Sequence, residues 1–60
     1  MTFNEAVKCY ESNTMVKEDG MVYYIIEINR MKETVKVKTA IGNPFFAMAR
    51  ETVPSKLTEA

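Results

Sequence analysis

The chain has no histidine and no tryptophan, and its only cysteine is Cys9. Without histidine, the usual Ser-His and Cys-His catalytic pairs and the most common metal ligand are excluded. A single cysteine cannot form an intramolecular disulfide, so the small secreted folds that depend on disulfides are excluded as well. Because no base stands near Cys9 in the sequence, we interpret it as a small, partly buried hydrophobic residue.

An excess of one charge sign and long apolar runs are also missing. Eight basic and eight acidic residues give a formal net charge of +0, whereas dedicated nucleic-acid-binding proteins usually carry a basic excess. No apolar run approaches the ~18 residues that span a bilayer. Residues 1–5 show neither the basic nor the apolar part of a secretion signal. We therefore expect a cytoplasmic protein without a membrane segment.

The composition that remains is typical of one small globular domain over residues 1–60. The chain is 60 residues long and 47% hydrophobic, which argues against disorder. A chain of this length buries only about 60% of its unfolded surface, so its core is thin. Self-association is one way to compensate for a thin core, and we expect a homodimer.

Residues 2–12 are predicted to form an α-helix. Thr2 and Glu5 make the T-x-x-E capping box, in which each side chain accepts a hydrogen bond from a free amide at the helix start. The apolar residues that follow form one stripe at helical spacing: Phe3, Ala6, Val7 and Tyr10. Such a helix is marginal alone, so we expect it to cover one face of a sheet.

After residue 14 the pattern changes to that of β-strands. A first hairpin is predicted with a three-residue loop over 18–20, in which Gly20 has the left-handed conformation. This loop pairs Val16 with Val22. The following strand over 21–28 is the strongest in the chain, since it is rich in β-branched and aromatic residues.

A second hairpin is predicted from the turn at 30–33 and the strand over 34–39. We expect opposing residues to have numbers that sum to 63, because a shift by one residue would place lysines on the apolar face. The resulting pairs are Ile28 with Val35, Ile26 with Val37, Tyr24 with Thr39, Val22 with Ile41, and Glu27 with Lys36. The last of these is an opposite-charge pair on the other face.

A further strand is predicted over 45–50, after the turn signal at 42–44. The sequence leaves open which face of this strand is buried. One register buries Phe45, Ala47 and Ala49. The other register buries Phe46, Met48 and the stem of Arg50. The fold class is thus α+β: an N-terminal helix followed by a four- to five-stranded antiparallel meander. The sheet is expected either to stay open or to curl into a small SH3-like or Sm-like half-barrel.

The favoured functional prediction is a non-enzymatic protein-binding domain: a regulator, inhibitor or adaptor, of bacterial or phage origin. One helix covers only one face of a four-stranded sheet, so apolar residues on the other face are available to a partner. The residues assigned to this site are Tyr23, Ile25, Phe46 and Met48. Closure of the sheet into a barrel would bury them instead.

The alternative prediction is a small nucleic-acid-binding barrel. Its cations lie on the second hairpin and are Arg30, Lys32, Lys36 and Lys38. Tyr23 is expected to supply a stacking surface beside them, as in proteins that bind single strands. Glu27 and Glu33 partly neutralise this charge, so a solvated surface with no ligand is also consistent with the pattern.

The chain offers little for metal, cofactor or enzyme chemistry. Glu18 and Asp19 beside Gly20 provide two carboxylates, which are too few for a calcium loop. Two glycines, Gly20 and Gly42, do not make a phosphate-binding loop. The sequence therefore predicts no metal, no cofactor and no catalytic residue.

Overall fold

A computed structural model describes residues 1–40 and 49–60. One α-helix precedes five strands, and a short 3-10 helix separates the last two strands. The elements are α1 (Phe3–Glu11), β1 (Val16–Glu18), β2 (Met21–Asn29), β3 (Thr34–Thr39), β4 (Arg50–Thr52), the 3-10 helix (Pro54–Lys56) and β5 (Thr58–Glu59). None of the helices in this described part of the chain is long and apolar enough to cross a membrane.

The helix α1 begins at the capping box that the sequence predicts. The Glu5 amide donates to the Thr2 hydroxyl at 3.2 Å, and the Thr2 amide donates to Glu5 Oε1 at 2.8 Å. The buried face consists of Ala6, Val7 and Cys9. Placing Tyr10 in the buried stripe was therefore wrong: Tyr10 is 42% exposed, and Cys9 takes the inner position.

All five strands form one antiparallel sheet in the order β4-β3-β2-β1-β5. The α+β prediction with an antiparallel meander is confirmed, since β1 to β4 are neighbours in chain order. The chain then crosses through the 3-10 helix to the other edge, where β5 pairs with β1. Among residues 1–40 and 49–60 no ladder joins β4 to β5, so the sheet is not closed into a barrel.

The β1–β2 hairpin closes with a two-residue turn rather than the predicted three-residue loop. Asp19 and Gly20 both have positive φ, 50° and 79°, as in the type I′ turn that matches the twist of paired strands. Val16 therefore faces Tyr23, and the predicted pairing of Val16 with Val22 was wrong by one residue. The reason is that aspartate tolerates the left-handed region well enough to be one of the two turn residues.

The β2–β3 hairpin follows the predicted register at its turn end and departs from it farther along. Glu27 pairs with Lys36 and Ile28 with Val35, as expected. Beyond a bulge at Ile26 the register shifts by one residue. The predicted pairs of Ile26 with Val37 and of Tyr24 with Thr39 were wrong. Instead, Ile25 faces Val37 and Tyr23 faces Thr39. The pairing of Val22 with Ile41 lies outside the described residues.

The bulge reconciles two hairpins that require different residues of β2 to face the core. The β1–β2 turn sets Tyr23 beside the buried Val16, which makes odd-numbered residues face inward. The β2–β3 turn sets Ile28 beside the buried Val35, which makes even-numbered residues face inward. Since strand side chains alternate between faces, one extra residue must stand between the two stretches.

The core lies between α1 and the inner face of the sheet, which is the face turned toward the helix. Its buried residues are Ala6, Cys9, Val16, Ile25, Val35, Val37 and Leu57, and Met1, Tyr23 and Ile28 pack against them. Val35, Val37 and Leu57 are 0% exposed. The outer face of the sheet points the opposite way.

Candidate functional site

Strand alternation decides which side chains lie on the outer face. Val16, Ile25, Val35 and Val37 are buried on the inner face, so the residues next to them in each strand project outward. The outer-face residues on the three central strands and on β4 are Lys17, Val22, Tyr24, Ile26, Glu27, Lys36, Lys38 and Glu51. Met15 immediately precedes β1 and is also exposed.

An apolar strip runs along the middle of this outer face. It consists of Val22, Tyr24 and Ile26 on β2 and of Met15 beside them. Tyr24 is 45% exposed, Ile26 is 43% exposed and Met15 is 40% exposed. Tyr24 lies at the centre, since it faces Lys38 on β3 and the β1–β2 register extended by one residue places Met15 on its other side. The strip is a partly exposed aromatic and aliphatic surface on a rigid strand.

Carboxylates are concentrated at one end of the outer face. Lys36 lies between Glu27 on β2 and Glu51 on β4. Its Nζ is 3.7 Å from Glu27 Oε2, and both side chains are about half exposed, so the ion pair is worth a few tenths of a kcal/mol. The Thr34 hydroxyl donates to Glu51 Oε2 at 2.9 Å. This row alone carries a net charge of −1, and the adjoining β2–β3 turn adds the exposed Arg30, Lys32 and Glu33.

Lysines occupy the other end of the outer face. Lys17 pairs with Val22, and Lys38 pairs with Tyr24. Across the described residues 1–40 and 49–60, neither lysine has a carboxylate oxygen within 4.0 Å. Two lysines without an ion-pair partner in the described ranges therefore lie beside the apolar strip, and the exposed Asp19 stands in the adjoining turn.

The residues predicted to bind a protein partner are not together on this face. Ile25 is 8% exposed and belongs to the core. Tyr23 is half-buried on the inner face, where the Arg50 guanidinium lies 5.0 Å from the centre of its ring. Their assignment to the outer face was wrong, because the bulge at Ile26 exchanges them with Tyr24 and Ile26. Phe46 and Met48, with the rest of residues 41–48, lie outside the described residues.

The cations predicted to bind nucleic acid are divided between two places. Lys36 and Lys38 lie on the outer face, where the sequence placed them. Arg30 and Lys32 are exposed in the β2–β3 turn, where Asn29 Oδ1 accepts hydrogen bonds from the Met31 and Lys32 amides at 3.1 and 3.0 Å. Tyr23 is on the opposite face, and Tyr24 is the aromatic residue beside Lys38.

Sequence reasoning missed an ionic cluster on the inner face. Glu18, treated as a turn residue, is 9% exposed and accepts hydrogen bonds from Arg50 and, at 3.5 Å, from the Thr52 hydroxyl. The side chains of Tyr23 and then of Glu18 raise the pKa of Arg50, which keeps the guanidinium charged. The alternation of Val16, Lys17 and Glu18 was the available signal, because it places Glu18 on the same face as Val16.

This cluster ties β1 to β4 across the two strands between them. In a flat sheet, strands three positions apart are separated by about 14 Å, so the contact between Glu18 and Arg50 requires a strongly curved sheet. The carboxylate and the guanidinium satisfy each other. The cluster is therefore explained by folding without a ligand.

A groove of about 480 Å³ separates α1 from β5. Cys9 lies at this groove and is 7% exposed. Burial first, and then the charges of Glu59 and Glu5, raise the pKa of the Cys9 thiol. The thiol is thus protonated near neutral pH and is a poor nucleophile. Within the described ranges, no three histidine, cysteine or carboxylate residues are grouped so that they could hold a metal ion.

Comparison with protein-family models, with curated proteins and with solved structures found no match for this chain. The outer face is therefore interpreted from its own residues. It combines an exposed aromatic centre, aliphatic neighbours and lysines that border them.

Proposed function

We propose that the protein is a non-enzymatic protein-binding domain that acts as a regulator, inhibitor or adaptor through the outer face of its sheet. The observation that carries this proposal is the apolar strip centred on Tyr24, which is exposed on the face opposite α1. The inner face has its own buried core of seven residues. The strip therefore has no equivalent packing partner within the described part of the chain.

The position of Tyr24 suits the centre of an interface. Tyrosine is enriched among the residues that dominate binding energy, and such residues cluster near the middle of interfaces. Tyr24 lies on the central strand of a five-stranded sheet, so its backbone is held by neighbours on both sides. A side chain on a rigid strand loses less conformational entropy on binding than one on a mobile loop.

The charges around the strip favour a partner with carboxylates at its rim. Lys17 pairs with Val22 and Lys38 pairs with Tyr24, so both cations border the apolar strip. Rim charges of opposite sign steer encounter and orient the partner more than they add affinity. A partner with an apolar centre and acidic residues around it fits this arrangement.

The proposal excludes catalysis and a resident cofactor for this surface. Tyr24, the lysines and the glutamates provide no nucleophile paired with a base, and Cys9 lies on the other side of the sheet in protonated form. A single reduced cysteine is also usual for a cytoplasmic protein, which is the location that we propose.

Site-specific photocrosslinking in cells that express the protein tests this function. A photoreactive phenylalanine analogue at position 24 is expected to give a discrete crosslinked protein. The matched control is the same analogue at position 10, because Tyr10 has nearly the same exposed fraction, 42% against 45%, but lies on α1. Equal crosslinking at both positions, or crosslinking at position 10 alone, would contradict the proposal.

A second candidate function is the binding of single-stranded nucleic acid by the same face. It is favoured by one observation: Tyr24 is an exposed aromatic residue with Lys38 directly opposite and Lys17 on the next strand. Bases stack on such side chains while lysines contact phosphates. Protein binding remains the first candidate because Glu27 and Glu51 flank Lys36 and repel phosphate.

Fluorescence anisotropy with short labelled single-stranded DNA and RNA tests the second candidate. Binding is expected to weaken steeply with salt, since neutralised phosphates release counterions. The double variant Lys17→Glu/Lys38→Glu is expected to abolish it, whereas Lys8→Glu/Lys56→Glu, with cations away from the outer face, changes it little. Affinity that is unchanged in the first variant, or absent at low salt, overturns this candidate.

A further inference from the structure

The α-amino group of Met1 connects the start of the helix to the segment that carries β5. The Met1 ammonium donates hydrogen bonds to the carbonyl oxygens of Pro54, at 3.1 Å, and of Leu57, at 2.7 Å. Pro54 begins the 3-10 helix, and Leu57 is the residue that follows it. Met1 also packs against the buried core. One charged group therefore holds residues 54–60, the C-terminal segment, against the rest of the molecule.

The other attachments of the C-terminal segment are short. Its strand β5 has two residues and lies at the edge of the sheet, where it pairs with β1. The Ala60 amide extends this pairing by donating to the Met15 carbonyl oxygen at 3.1 Å. Pro54 and Leu57 are its buried residues. Because hydrogen bonds from a charged donor are stronger than neutral ones, the ammonium supplies a large share of the attachment.

We propose that the Met1 α-amino group is a modification site, and that its acylation by an acyl thioester releases the C-terminal segment. While the segment is docked, the protonated nitrogen has no lone pair with which to attack a carbonyl carbon. When the segment opens, the ammonium loses a proton and the neutral amine attacks the thioester. The C–N bond forms, the C–S bond breaks, and the thiol leaves. The products are the amide, the thiol and one released proton.

The acylated nitrogen cannot restore both hydrogen bonds. An ammonium has three N–H donors and a positive charge, whereas a secondary amide has one N–H and no charge. At least one of the carbonyls of Pro54 and Leu57 therefore loses its bond to Met1. The acyl group also has to fit where the nitrogen lies 2.7 Å from the Leu57 oxygen. A residue attached ahead of Met1 would form the same kind of amide, so we expect the same effect from it.

Release of the C-terminal segment changes one edge of the sheet. Leu57, which is 0% exposed, leaves the core. The β1 edge that β5 covers at Val16 and Lys17 becomes open, and so does the groove of about 480 Å³ between α1 and β5. An open strand edge offers its backbone groups to another extended chain. The outer-face strip around Tyr24 is unchanged, so this inference is independent of the proposed function.

Semisynthesis through Cys9 gives full-length chains that differ only at the Met1 nitrogen. A synthetic thioester of residues 1–8 is joined to residues 9–60 by native chemical ligation, which leaves an ordinary peptide bond between Lys8 and Cys9. Three chains are compared: one with a free amine, one with an N-acetyl group and one with an N-methyl group. The N-methyl chain is the matched control, because it adds a carbon but retains the positive charge and two N–H donors.

Hydrogen exchange followed by NMR at several low urea concentrations measures the release. The reporters are the amides of Leu57 and Ala60, which donate to the carbonyls of Pro54 and Met15. In the acetylated chain both are expected to exchange about tenfold faster or more, since a charged hydrogen bond is lost. Their exchange is expected to depend less on urea than that of the β2–β3 ladder, because local opening exposes less surface than unfolding. The N-methyl chain is expected to remain within roughly threefold of the free amine.

A second measurement tests whether docking protects the amine. The free-amine chain and a peptide of residues 1–8 are treated with a simple acyl thioester, and mass spectrometry compares acylation at the Met1 amine with acylation at the Lys8 side chain. The ratio is expected to be about tenfold lower in the folded chain, since the amine reacts only from the open state.

Four results would overturn the inference. The first is an acetylated chain that exchanges no faster than the free amine at Leu57 and Ala60. The second is an N-methyl chain that exchanges as fast as the acetylated one, which would assign the effect to bulk. The third is a urea dependence equal to that of the β2–β3 ladder, which would indicate general unfolding. The fourth is an equal acylation ratio in the folded chain and the peptide.

Discussion

The inner and outer faces of β2 carry similar residues but have different neighbours. On the inner face, Tyr23 and Ile25 contact the core, and Ile25 is 8% exposed. On the outer face, Tyr24 and Ile26 have nearly the same chemistry and are 45% and 43% exposed. Residue type alone therefore does not separate the folding face from the binding face. The bulge at Ile26, set by the two hairpins, makes the assignment.

The bulge predicts a large difference between two single-residue deletions. Deleting Ile26 removes the extra residue and leaves Ile25 and Ile28 on the inner face, so we expect a cooperatively folded protein. Deleting Lys36, which is also exposed, disrupts the alternation of β3 and turns Val35 or Val37 outward, so we expect unfolding. Circular dichroism with urea titration measures both. A folded Lys36 deletion beside an unfolded Ile26 deletion would contradict the bulge.

A smaller effect distinguishes the two members of the inner ion pair. Arg50→Gln leaves the largely buried Glu18 carboxylate with only the Thr52 hydroxyl, which is expected to cost about 1–3 kcal/mol of unfolding free energy. Glu18→Gln leaves a guanidinium whose side chain is 45% exposed, so water solvates it, and the expected cost is below about 1 kcal/mol. Urea unfolding at neutral pH compares them. Equal costs, or a larger cost for Glu18→Gln, would show that burial of the carboxylate does not determine the loss of stability.

The smallest expected effect concerns α1, outside both faces. Hydrogen bonds from the Thr2 backbone amide and then its side chain lower the pKa of Glu5 below its ordinary value of 4.5. A lowered pKa in the folded state means that the stabilisation is present above the ordinary pKa and is lost as pH falls through the lowered value. The variant Glu5→Gln is therefore expected to show a shallower loss of stability below pH 4.5. An unchanged slope in acid urea titrations would argue against this capping interaction.

The fold class, the helix with its cap and the turn end of the β2–β3 hairpin were predictable from local patterns. Capping boxes and strand alternation depend on residues close in sequence, and Glu27 opposite Lys36 follows from the hairpin turn. The position of β5 beside β1 was not predictable in the same way. It depends on packing of Leu57 and the 3-10 helix against α1, which no local pattern encodes.

The sequence predicted the lysines of the candidate site but not its central aromatic residue. Lys36 and Lys38 were placed on the outer face because they alternate with Val35 and Val37. Tyr24 was missed because the β1–β2 turn was given one residue too many. Had Asp19 and Gly20 been interpreted as a two-residue turn, the conflict between the two hairpins would have required a bulge in β2.

The most direct test of the account is the unfolding free energy of Ile25→Thr and Ile26→Thr, measured by urea titration. The substitution is identical, the residues are adjacent, and threonine retains the β-branched shape. Ile25→Thr buries a hydroxyl in the core and is expected to cost about 2–3 kcal/mol more than Ile26→Thr, which lies partly in water. That result would leave Tyr24 and Ile26 free for binding. Equal costs, or a larger cost at Ile26, would indicate the unbulged register and contradict the outer face described for this protein.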